Sequence, residues 1–226
     1  MSSTRIVIAA FNEAAVIGRV VALLRAAGWS VVVIDDGSRD ATGHQAEAAG
    51  ATVLRHPVNL GQGAALRTGF AFVLSRTDAE FIVTYDADGQ HAPEQVLPML
   101  EPLRDGSAEV TLGSRFLQEA DAAGIPASRR LLLKAATALA RRTTGLALTD
   151  THNGLRGFTR SALQRMVLQQ DRMAHASEIQ HEIARLRLRY VEVPVRVSYT
   201  EYSLAKGQRF LSAVSVLWDL VIAKLR

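Results

Sequence analysis

Short apolar runs and longer helix-like segments alternate without interruption over the first half of this 226-residue chain, and that rhythm restricts the fold more than any single motif. The strand-like runs are Arg5–Ala10, Ser30–Ile34, Thr52–Leu54, Phe81–Tyr85 and Glu109–Gly113. Between them lie segments with helical character at about Glu13–Ala27, Asp40–Ala49, Gly63–Ser75 and Pro93–Leu103. Strands alternating with helices of this length read as βαβ units. We therefore expect an α/β fold with a mostly parallel central sheet covered on both faces. Gly28 and Gly50 stand where helix C-caps belong, and Pro93 where a helix can begin.

In an open sheet of this kind, ligands bind beyond the carboxyl ends of the strands. The run Phe81–Tyr85 ends in Asp86-Ala87-Asp88-Gly89-Gln90-His91. On extended backbone, residues two apart point the same way, so both carboxylates face one spot. Their repulsion is relieved by a cation, which points to a divalent metal holding a phosphate ester. Asp and Gly also form polar turns, so this stretch alone fits a bland reading as well. Further acids stand where the first two strands end, in Phe11-Asn12-Glu13 and in Asp35-Asp36-Gly37-Ser38. Acids gathered on one rim from strands distant in sequence form the pattern of a composite binding site.

Beyond Arg115 the rhythm changes. Gln118–Ile125 reads as a loop, and Ser128–Leu148 as a helix on which Arg130, Lys134 and Arg141 make one basic stripe. A helix over Glu178–Leu188, a strand over Tyr190–Val197 and an apolar segment over Gln208–Arg226 follow. The net charge of +4 is concentrated in this half. A basic surface can meet nucleic acid, anionic lipid or a phosphorylated substrate. Aromatics make up 6% of the chain and are not interleaved with the basic residues, which argues against a nucleic-acid partner. The absence of cysteine excludes disulfides and thiolate chemistry. No run of about 18 apolar residues is present, so no membrane span is expected, and Met-Ser-Ser-Thr-Arg has no signal-peptide architecture.

Two tempting motifs fail on spacing. Gly61, Gly63 and Gly69 do not follow the first strand directly, as a dinucleotide fingerprint requires, so they read as backbone-shaping residues and a nicotinamide dehydrogenase is disfavoured. His175, Glu178, His181 and Glu182 lack the zinc-protease spacing and read as a solvated helix face.

Asn12-Glu13, Asp35-Asp36-Gly37-Ser38, Asp86-Ala87-Asp88-Gly89-Gln90 and Gly113-Ser114-Arg115, in this order, resemble the motifs of a family 2 glycosyltransferase of the GT-A fold. From about Arg5 to Lys206 the chain is similar to the branch of polyprenyl-phosphate sugar synthases, dolichyl-phosphate mannosyltransferases among them. The resemblance implies a transferase domain over 1–206 and an amphipathic C-terminal helix over 207–226 that meets a membrane or a partner. It implies that Phe11 and Glu13 flank the nucleotide base and ribose, with Ala9 also in the substrate-binding set and Asp35 or Asp36 bonding the base. Asp86, Asp88 and Gln90 become the set for Mg²⁺ or Mn²⁺. Arg115, with Arg129 or Arg130, receives the acceptor's phosphate, and Tyr202, Ser203 and Lys206 close over the diphosphate. Three positions depart from the family pattern. Ala9 and Phe11 stand where Pro and Tyr are frequent, Asn153-Gly154-Leu155-Arg156 where Ser-Gly-Phe-Arg is frequent, and Thr200 where Arg is frequent.

The implied function is an inverting, metal-dependent transfer from a nucleotide diphosphate sugar to a polyprenyl phosphate. The enzyme would sit peripherally on the cytoplasmic face of a membrane, docked through lipid or a small membrane protein. The alternative acceptor is a soluble or glycan hydroxyl, which needs a carboxylate base from Asp150, Glu178 or Glu182. A non-catalytic nucleotide-binding scaffold is the other alternative, against which the intact acidic and basic residues speak.

Overall fold

β-Branched residues fill the early strands on both faces, as Ile6-Val7-Ile8 and Val31-Val32-Val33-Ile34 illustrate, because both faces of this sheet are covered. The structure, a computed structural model, describes residues 3–118, 127–151 and 153–198, with 127–129 described by backbone alone. Among these, β1 (Thr4–Ala10), β2 (Ser30–Asp35), β3 (Thr52–Arg55), β4 (Phe81–Thr84), β5 (Val110–Ser114), β6 (Arg156–Thr159) and β7 (Tyr190–Pro194) form one sheet in the order β3-β2-β1-β4-β6-β5-β7. All pairings are parallel except those of β6, which runs antiparallel to both β4 and β5. The expected mostly parallel α/β sheet is therefore present. The register aligns Ala10 of β1 with Asp35 of β2 and Val7 of β1 with Thr84 of β4, so these strands end along one rim.

The helices are α1 (Ile17–Ala26), α2 (Thr42–Ala48), α3 (Gln62–Arg76), α4 (Val96–Arg104), α5 (Ala127–Thr144), α6 (Arg160–Arg165) and α7 (His175–Leu186). One core cluster packs α1 and α4 on Ile6, Ile8, Val31, Val33 and Val83. The other packs α3, α6 and α7 on Val7, Val32, Ile34, Ile82 and Phe158, as alternation along a strand requires. Gly69 lets α3 approach the sheet. A Cβ there would lie 2.5 Å from Val7 Cγ1 and 2.6 Å from Ile34 Cδ1. Gly69→Ala is expected to destabilise the fold by about 1–3 kcal/mol in denaturant melts, because overpacking outweighs the gain in helix propensity. A stabilised variant would overturn this account.

Several boundaries differ from the sequence expectation. The first helix starts at Ile17, not Glu13, because Asn12 takes a left-handed φ of 54° and Glu13 to Val16 make a turn whose amides bond back to the Glu13 carbonyl. The basic helix stops at Thr144, not Leu148. Gly145 has a φ of 73° there, and Leu148 turns into the core with no exposure. β6 and α6 were not expected: Arg156-Gly157-Phe158-Thr159 is too short and too glycine-marked to read as a strand. Most of the expected loop Gln118–Ile125 and all of the C-terminal helix of 207–226 lie outside the described residues.

Candidate active site

A cavity of about 730 Å³ opens at the rim where β1, β4 and β5 end and β6, running the other way, begins. On one side it is lined by Ala9, Phe11, Glu13 and Asp36, in the middle by Asp86, Asp88, Gln90 and His91, and on the far side by Arg115, Asn153, Gly154 and Arg156. Of the residues implied to act, the structure brings together Ala9, Phe11, Glu13, Asp36, Asp86, Asp88, Gln90 and Arg115. Asp35 does not face this cavity. It has no exposure, its Oδ1 accepts a bond from Ser38 N–H at 2.9 Å, and its Oδ2 lies 3.5 Å from Arg55 Nε. Arg130 is an exposed residue of α5, away from the cavity lining. The Arg129 side chain and Tyr202, Ser203 and Lys206 lie outside the described residues.

The wall on the β1 side is held by side chains of the β2–α2 loop. Asn12 N–H donates to Ser38 Oγ at 2.9 Å, Glu13 N–H to Thr42 Oγ1 at 2.8 Å, and Arg39 N–H to Asn12 Oδ1 at 2.9 Å. The two polar turns seen in the sequence thus lock each other. Asp36, 2% exposed, accepts from Leu60 N–H at 2.9 Å and Gly61 N–H at 2.8 Å, and pairs with His56 Nδ1 at 2.7 Å. Its carboxylate fixes the entry to α3. Gly61 has a φ of 107°, and a Cβ on it would meet the Asp171 carbonyl at 2.4 Å. Gly61, Gly63 and Gly69 are accordingly sites of close backbone approach.

Burial and the neighbouring Asp86 carboxylate raise the Asp88 carboxyl to about 6. His91 Nε2 lies 3.7 Å from Asp86 Oδ2, but burial lowers the imidazole below its ordinary range despite that acid, so it brings little positive charge at neutral pH. Asp86 thus faces the Arg156 guanidinium, while burial and Asp86 both work against the charge on Asp88. Hard oxygen donors in a polar cavity suit Mg²⁺ or Mn²⁺. No group of three or more acidic, His or Cys ligands occurs among the described residues. Gly154 rests against this pair, since a Cβ on it would come within 2.1 Å of Asp86 Oδ1.

The far wall is ionic. Arg115, 5% exposed, donates from Nε and Nη2 to the two oxygens of Asp150 at 2.6 and 2.8 Å. Arg156, equally buried, begins β6. Sequence reasoning gave Arg156 no role, although its place in the Asn153–Arg156 motif was the available signal. Glu178 and Glu182 are not a solvated face. Glu178 accepts from Gln169 and Gln170 N–H, and Glu182 from Val167 N–H while pairing with Arg185, because the chain before α7 folds over them.

Residues 5–167 match the model of glycosyl transferase family 2, and the chain belongs to that family of glycosyltransferases. It is 32% identical to an uncharacterized protein of Methanocaldococcus jannaschii, over 97% of this chain and 91% of that one. It is 28% identical to a UDP-N-acetylglucosamine–dolichyl-phosphate N-acetylglucosaminyltransferase of Methanococcus voltae, over 97% and 95% of the two chains. An undecaprenyl-phosphate mannosyltransferase of Micrococcus luteus is 31% identical over 79% of this chain and 74% of its own. Among solved structures, glucosyl-3-phosphoglycerate synthase from Mycobacterium tuberculosis, in complex with Mn²⁺, uridine diphosphate and phosphoglyceric acid, superposes with a TM-score of 0.72. That match has 21% identity and covers 99% of this chain and 77% of the other. The fold is the GT-A fold expected from the motifs.

Proposed function

We propose that the chain moves one sugar from a nucleotide diphosphate donor to a polyprenyl phosphate, with inversion at the anomeric carbon. The observation that carries this reading is the placement of Asp86 and Asp88 between an aromatic and acidic wall, Phe11, Glu13 and Asp36, and a guanidinium wall, Arg115 and Arg156. The nucleoside fits the first wall, an anionic acceptor the second. Asp86 and Asp88, with Gln90 beside them, are suited to hold Mg²⁺ or Mn²⁺, whose charge would stabilise a departing diphosphate. The Gln90 backbone N–H donates to Asp88 Oδ1 at 3.0 Å and so orients that carboxylate. By the resemblance, Lys206, Tyr202 and Ser203 close over the diphosphate. An acceptor phosphate is ionised at neutral pH and attacks without a strong base, but it needs cations to approach a second anion.

The carboxylates available as a base for a hydroxyl acceptor are otherwise engaged: Asp150 with Arg115, Glu178 with loop amides, and Glu182 with Arg185. This favours the phosphate acceptor. The names of the dolichyl- and undecaprenyl-phosphate relatives point the same way. For docking at a membrane we propose α5, where Leu131 and Leu139 are exposed beside the exposed Arg130, Lys134 and Arg142, together with the 207–226 segment. No helix among the described residues is long and apolar enough to cross a membrane.

A thermal-shift panel of nucleotide sugars with Mn²⁺ should show one preferred donor, since ligands of the folded state raise its melting point. With that donor and undecaprenyl phosphate, labelled sugar should partition into organic solvent as the β-linked phosphate. A water-soluble product, or retained configuration, would overturn the reading.

A further inference from the structure

Arg156 is a buried cation whose hydrogen-bonding capacity is unspent. It pairs across the sheet with Thr84 of β4 and Leu112 of β5, is 5% exposed, and borders the cavity. A guanidinium presents five N–H donors in a planar fork, yet none of them bonds to a described residue. Burial works against its charge, while Asp86 and then Asp150 favour it. Arg115, by contrast, spends Nε and Nη2 on Asp150. A charged fork at a cavity wall, 5% exposed and largely shielded from water, is suited to an anion that supplies the missing acceptors.

Its place in the sheet says which anion. β4, carrying Asp86 and Asp88 just beyond its end, has β1 on one side and β6 on the other. Phe11 and Glu13 follow β1, so the nucleoside belongs on that side and the donor diphosphate over β4. Arg156 lies across β4 from them, on the side from which a second substrate must come. We propose that Arg156 receives the acceptor's phosphate, its fork taking two phosphate oxygens. This assignment rests on the phosphate-acceptor reading above and adds to it a residue that the motif resemblance did not provide.

The test is calorimetric titration of metal-free full-length protein with farnesyl phosphate, farnesol and inorganic phosphate. Uridine, guanosine and thymidine diphosphates with Mn²⁺ are titrated in parallel. The wild type should bind farnesyl phosphate in preference to farnesol. Arg156→Gln should weaken that binding roughly tenfold or more, and leave nucleoside diphosphate binding within about threefold. Arg156→Lys, which keeps the charge and loses the fork, should fall between the two. Competition by inorganic phosphate identifies the headgroup as the recognised part; failure to compete assigns binding to the chain and overturns the proposal. Wild-type affinity in Arg156→Gln overturns it while leaving the polyprenyl reading intact. Loss of nucleoside diphosphate binding with farnesyl phosphate binding kept also overturns it, moving the guanidinium to the donor. Equal binding of farnesyl phosphate and farnesol by the wild type sinks both the acceptor reading and this assignment. Should Arg156→Gln fail to fold, the Arg156→Lys titration decides by the same comparison.

Discussion

Asp88→Asn is expected to lower turnover by roughly 10²–10³-fold or more and to weaken the response to Mn²⁺, while leaving the protein folded. The carboxylate is half-buried beside Asp86, and both effects raise its carboxyl to about 6, whereas an unfolded Asp titrates near 4. Between those values the folded metal-free protein binds the extra proton. Stability therefore falls as pH rises from about 4 to about 6, and the loss is complete above the folded value. Asn removes the charge and with it this slope. Denaturation in EDTA should show the variant at least as stable as the wild type at pH 7 and the difference vanishing near pH 4. Unchanged turnover and unchanged metal response in the variant would end the proposal that Asp88 holds the ion.

Asp150→Ala should destabilise the fold by about 3–5 kcal/mol, the range for breaking one side of a buried ion pair. Arg115 and Asp150 have side-chain exposures of 6% and 0%, and the alanine leaves the guanidinium without the carboxylate that takes both Nε and Nη2. The same loop is tied to β7, where Glu192 accepts from the backbone N–H of Thr149 at 2.7 Å and of Asp150 at 3.2 Å. Arg115→Met combined with Asp150→Leu should cost less than the two single changes summed, because no buried charge is left over. Additive losses in urea melts would show that the pair is not coupled as its geometry indicates.

The parallel half of the fold was legible because its strands are apolar on both faces and its helices long enough to show their period. The acidic rim followed from that, since Asp36, Asp86 and Asp88 stand just beyond strand ends. The far wall was not legible. Periodicity reports burial, and β6 is a four-residue strand whose first side chain is charged and whose second residue is glycine. Only tertiary pairing with β4 and β5 makes it a strand. Asp36 illustrates a second limit. Its position was readable, but that its carboxylate would be occupied by Leu60, Gly61 and His56 depends on a stretch 20 to 25 residues further along the chain. Glu178 and Glu182 were misread for a related reason, because the chain that covers them carries no periodic signal.

The reversed direction of β6 divides the catalytic groove into two heritable halves. The groups after β1 and β2 sit beyond strands that run one way and interlock through the β2–α2 loop, so altering one of them disturbs several. The opposite bank combines Arg115, just beyond β5, with the stretch from Asn153 to Arg156 that leads into β6, and Glu192 anchors the preceding loop through the Thr149 and Asp150 amides. A chimera exchanging residues 145–156 alone should therefore reassign what the enzyme glycosylates without retuning which nucleotide it consumes.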